Sequence, residues 1–157
     1  MDNLINKDYI NTFKALKSRI LQAQYRSFSA VNSEMIMAYL DIGKIISEKT
    51  KSGWGTSVIK QLSKDLRAEF PGVKGFSERN LYRMKIIYEE ITKNKISPQA
   101  VAKLHWGHTV LIFSKIKDKE QREFYLRKTK EEVWSRSILE ENLWEWLLIH
   151  IRNYPKR

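Results

Sequence analysis

Apolar residues recur at intervals of three and four along almost the whole chain, and the strict alternation of a half-buried strand is nearly absent. Tyr9, Phe13, Leu16, Ile20 and Ala23 fall on one stripe of a first helix, expected over about residues 5–28. Asn32 or Ser33 can cap a second helix, whose stripe is Met35, Tyr39, Ile42 and Ile46. Gly53 and Gly55 around Trp54 then break the chain, and a third helix is predicted from about 56 to 70 with Ile59, Leu62 and Leu66 inward, stopped by Pro71-Gly72. Further starts are read at Ser77, at Ser97-Pro98, at Asp118 and at Ser135 or nearby, the last helix running over about 135–151. The expectation is an all-α fold of about six or seven helices, in a single helical domain spanning residues 1–157.

The stretch GFSERNLYRMKIIYEE, residues 75–90, carries the clearest local signals. Ser77 suits the N-cap, Glu78 sits at the positive end of the helix dipole, and Phe76 and Leu81 occupy the two positions of a hydrophobic staple. Asn80 stands where a full capping box would place Glu or Gln. At 100° per residue, Leu81, Met84, Tyr88 and Ile91 share one side, while Arg79, Tyr82, Arg83 and Ile86 fall on the other.

With the helix before it, this stretch forms a helix-turn-helix-like unit over about 56–92, although its connection, PGVKGF, is longer than the usual three or four residues. In such a unit the second helix can enter a major groove, its arginines reaching phosphates or guanine edges. Arg79, Tyr82, Arg83, Lys74 and Lys85 are the candidate DNA-binding residues. The competing reading makes Arg79 and Arg83 a solvated face, with Tyr82 and Ile86 packed on another helix.

Composition sharpens the choice of partner. The chain holds 29 Lys+Arg against 18 Asp+Glu, a net charge of +11 that attracts polyanions, nucleic acid foremost. Lys14, Lys17, Arg19 and Arg26 decorate the first helix, and residues 115, 117, 119, 122, 127, 128 and 130 add seven basic positions. No cysteine is present, which excludes disulfides and thiolate metal sites. The N-terminus has no signal-peptide pattern, and the apolar patch at 143–151 is too short to span a bilayer, so the expected location is the cytoplasm, with no membrane partner.

Three segments, NSEMIMAYLDIGKIISE, GWGTSVIKQLSKDLRAEFPGVKGFSERNLYRMKIIYEE and LHWGHTVLIFSKIKDKEQREFYLRKTKEEVWSRSILEENL, together resemble the N-terminal domain of the YhcG family of bacterial PD-(D/E)XK nucleases. The resemblance runs from about Ala30 to Leu143 in unbroken order. It implies an α-helical, DNA-binding module with a helix-turn-helix-like part, usually followed by a nuclease domain. Leu40 and His105 depart from the family's pattern at packing positions.

A nuclease of that class needs carboxylates and an acid-x-Lys element on adjoining strands to hold a divalent ion, and the helical spacing offers no such strand pair. No catalytic residue is expected; the pairs Glu131-Glu132 and Glu140-Glu141 read as solvated helix surface. His105 and His108, three apart, lack a third ligand nearby, and His150 is remote in sequence. Neither a metal nor a cofactor is expected.

The last helix raises a separate possibility. Its apolar residues go almost all the way round the helical wheel, which makes Trp144, Trp146, Leu147 and Ile151 candidates for a partner interface. The partner would be a second copy of the chain or a nuclease domain; the alternative is a helix threaded through its own bundle. Two functional readings follow: a non-catalytic module that targets double-stranded DNA, or a protein–protein or dimerisation module. RNA binding ranks third, because it favours aromatic platforms on sheets and loops over a helical arginine face.

Overall fold

The computed structural model describes the backbone of residues 2–152 and the side chains of residues 7–150. Those residues form seven helices and no strand: α1 (Asp2–Lys51), α2 (Thr56–Glu69), α3 (Glu78–Asn94), α4 (Pro98–Ala102), α5 (Trp106–Lys115), α6 (Lys119–Glu131) and α7 (Arg136–Arg152). The all-α expectation holds.

The expected break between a first helix ending near 28 and a second starting near 33 is absent; α1 runs through. Nothing between Phe28 and Ser33 can stop a helix, since the segment has neither glycine nor proline. Asn32 does not cap: its amide donates 2.9 Å to the Leu104 carbonyl, binding α1 to the loop before α5. One continuous helix thus stands where the pattern predicts two, whereas α5 forms at a place where the pattern marks no start.

α1 has two different halves. Its C-terminal half lies along α3 and buries Ile36, Tyr39, Leu40 and Ile46. The approach is so close that a Cβ on Gly43 would collide with the Met84 carbonyl, which is why a glycine stands mid-helix there. The N-terminal half is an arm. Residues 7–28 are exposed at every position, and the stripe of Tyr9, Phe13, Leu16 and Ile20 faces no part of the described chain.

Two groups of buried side chains hold the rest. Leu81, Met84, Tyr39, Ile46 and Ile59 gather where α1, α2 and α3 meet, with Leu62, Leu66 and Phe76 against them. A larger group runs from Ile36 and Leu40 through Ile87 and Ile91 to Ile112 and Ile116 of the α5 region, Leu126 of α6, and Leu139 and Leu143 of α7. At about 1.5–3 kcal/mol for each fully buried large aliphatic side chain, these groups dominate the favourable side of folding.

Candidate nucleic-acid interface

α3 starts as its sequence dictates. Ser77 is the N-cap and its hydroxyl accepts from the Asn80 backbone N–H at 3.2 Å, while Phe76 and Leu81 pack in the same apolar group. The turn from α2 is tied by the Ser63 hydroxyl, which donates 2.7 Å to the Phe76 carbonyl. Asn80 is buried, and its side chain has a use that capping logic does not supply. Its amide donates to the Gly75 carbonyl at 2.7 Å, and its oxygen accepts from the Trp106 indole N–H at 2.8 Å. Trp106 opens α5 and meets Tyr39 edge-on at 5.2 Å, so one tryptophan registers the beginnings of α3 and α5 against α1.

That registration sets the arginines. Arg79 is exposed and Arg83 half-buried on the same side of α3. The pKa of the Arg83 guanidinium is lowered, first by its partial burial and then by the nearby charges of Arg79 and Arg136. Arg136, the first residue of α7, reaches back over the start of α5, where its Nη1 lies 3.6 Å from the position a Cβ would take on Gly107. Three arginines from two helices thus share one patch. Glu140 is the acidic member of the neighbourhood, 3.4 Å from Arg136 Nε.

His108 lies next to Arg136. His108 feels that arginine's charge and donates through Nε2 to the Trp134 carbonyl at 3.1 Å; its pKa is lowered, chiefly by burial. The bond commits that nitrogen, and among the described residues no group of three or more His, Asp or Glu side chains is placed to hold a metal ion. Beyond His108 lies a cleft of about 460 Å³ between the base of the arm and α6. Phe28 and Trp134 form part of its wall, Lys103 and Lys130 are its cations, and no carboxylate lines it.

The other expected site residues scatter. Lys85 is about 200° round α3 from Arg83 and faces α1, paired with Glu89 at 3.1 Å, itself bonded to Ser47. Tyr82 packs half-buried against the Leu81 group. Lys74 is exposed in the loop before α3, and its carbonyl accepts from the Tyr39 hydroxyl. Arg122, one of the seven basic positions between 115 and 130, leaves the surface altogether at 2% exposure. Its guanidinium donates to the carbonyls of Ile116 and Phe113 and pairs with Glu90 at 2.6 Å, locking α6 to α3. The carboxylate pairs behave as helix surface: Glu131 faces Arg127, Glu132 is 2.7 Å from Lys128, and Glu140 is held by Arg136.

On α7, Trp144 is 57% exposed, with Lys115 over its ring at 5.3 Å. Trp146 and Leu147 are half-buried, Trp146 against the chain's own core and stacked on His150 at 4.1 Å. The side chain of Ile151 lies outside the described residues. The helix therefore buries one side on its own domain and leaves Ile138, Trp144, Leu148 and Ile149 uncovered. Arg136 is the residue that sequence reading misses; only the fold brings it within reach of a helix more than fifty residues earlier.

The fold and the patch define an all-helical module with arginines of two helices gathered on one surface, and with no helix among the described residues long and apolar enough to cross a membrane. The family model described as the DUF1016 N-terminal domain matches residues 15–147, and the chain belongs to that family, the YhcG type. No curated protein and no solved structure matches the chain.

Proposed function

We propose that this domain is the non-catalytic, DNA-targeting part of a YhcG-type nuclease or restriction-like system, and that it contacts duplex phosphates through Arg79, Arg83 and Arg136. The observation that carries the reading is the convergence of those three guanidinium groups, the charges of Arg79 and Arg136 adding to partial burial in lowering the pKa of Arg83, on a chain of net charge +11. Like charges gathered at a half-exposed site repel one another, and a polyanion relieves the repulsion. The first turn of α3 is also the part of a recognition helix that meets base edges when such a helix enters a groove.

The buried side of α3 limits the geometry. Leu81, Met84, Ile87 and Ile91 face inward, so only the edge carrying Arg79, Arg83 and the exposed Ile86 is open to a ligand. Phosphate contact with shallow base contact fits that edge better than full insertion of the helix. Titration of a labelled duplex at two salt concentrations tests the proposal. The Arg79→Ala/Arg83→Ala variant should bind more weakly and show a salt slope reduced by about one unit for each phosphate no longer neutralised. Unchanged affinity and slope, with helicity intact, would remove the patch from the reading.

A further inference from the structure

Two uncovered apolar faces in this chain match each other in length and in charge. On the arm, Tyr9, Ile10, Phe13, Leu16, Ile20 and Leu21 are all exposed. That run of helix is about 18 Å long, and the run from Ile138 to Ile149 on α7 is about 17 Å. Residues 7–28 carry five basic side chains against one acid, Asp8. Residues 137–150 carry Glu140, Glu141 and Glu145 and no lysine or arginine. A helix with a continuous apolar stripe in water lacks the burial that stabilises it, and α1 is one rigid helix, so the arm cannot fold back onto its own α7.

We infer that the arm of one copy packs on the outer face of α7 of a second copy, and that the exchange is reciprocal about a two-fold axis. The stripe of the arm covers Trp144, Leu148 and Ile149, while Lys14 and Lys17 meet Glu141 and Glu145. Charge decides between this arrangement and its nearest rival. Pairing two arms side by side would set five basic residues against five, whereas arm on α7 sets opposite signs together. Reciprocity closes the assembly at two copies, where a one-way contact would propagate into filaments. The interface is distinct from the proposed DNA contacts, since it uses none of Arg79, Arg83 and Arg136.

The absence of cysteine makes the test direct. Ile20→Cys and Leu148→Cys, both at exposed positions, are prepared separately, mixed and oxidised. A covalent dimer is expected in the mixture and not in either variant alone, and light scattering of the wild type should give twice the 18.7 kDa chain mass. Lys14→Glu/Lys17→Glu should weaken self-association by about tenfold or more, with recovery when it is mixed with Glu141→Lys/Glu145→Lys. A monomer at every concentration, cross-linking of Ile20→Cys with itself, or failure of the charge-reversed pair to recover would each overturn the inference. Circular dichroism of every variant separates a broken interface from a broken fold.

Discussion

Trp106 donates its indole N–H to the side-chain oxygen of Asn80 across 26 residues of sequence, and both partners lie at the first turn of a helix. The bond fixes where α5 begins relative to α3, and hence where Gly107 and Arg136 stand relative to Arg83. Asn80→Ala leaves a Trp106 donor and the Gly75 carbonyl without partners, and should destabilise the domain by about 1–3 kcal/mol in urea denaturation. Trp106→Phe also abolishes the bond but leaves only the Asn80 oxygen without a partner, keeps an aromatic ring against Tyr39, and should cost less stability than Asn80→Ala.

Arg122 is the tie between α6 and α3. Arg122→Ala strips two carbonyls and Glu90 of their donor and should lower stability by about 3–5 kcal/mol. Arg122→Lys keeps the charge but not the forked geometry, so it should recover only a minor part. Equilibrium unfolding of the two variants measures the difference.

Acid should weaken the fold in two steps. His108 has a folded pKa below its ordinary 6.5, with burial the main cause, so below pH 6.5 the unfolded chain takes up a proton that the folded one resists. Stability therefore falls as pH drops from 6.5 toward the folded value. Glu90 is held below its ordinary 4.5, first by the Arg122 hydrogen bond, so its contribution is whole above 4.5 and lost as pH falls through the lower folded value. Denaturation midpoints across pH should show both limbs in the wild type, and His108→Asn should abolish only the upper one.

Arg136 and Lys85 separate the patch from mere basicity. Arg136→Ala should reduce duplex affinity and flatten the salt dependence by about one unit if it touches a phosphate. Lys85→Ala should change neither, because that ammonium is committed to Glu89 on the opposite side of α3. Equal effects from the two would point to net charge alone.

Val133 sits at φ 52° and is 80% exposed in the turn between α6 and α7. A β-branched residue there is strained, and Val133→Gly should raise stability by about 1–2 kcal/mol, read as a higher unfolding midpoint.

Much of the fold is legible in the sequence because it is local. Ser77, Asp118 and the Ser97-Pro98 pair mark real helix starts, and Leu81, Met84 and Ile91 face inward at the spacing their sequence shows. The false junction near Asn32 follows from a polar residue serving a distant carbonyl, a use that looks like a cap in sequence alone. Arg122 reads as surface in sequence because its three acceptors come from the ends of other elements. The patch is half legible: Arg79 and Arg83 share a helix, and Arg136 joins them only through the packing of α5 and α7.

The unbroken run of α1 makes rotation as well as distance a fixed quantity. Fifty residues of helix reach about 75 Å, and no joint lets the far end swivel against the near one. Whatever grips the stripe near Phe13 is indexed in azimuth to the Gly43–Met84 crossing. One extra residue between Phe28 and Asn32 would turn the arm through about 100° and aim its stripe elsewhere, though both halves would keep every side chain they have. Seven extra residues would bring it back to within about 20° while moving it some 10 Å outward. The arm is thus specified by phase, a property of the spacer's length modulo the helical turn.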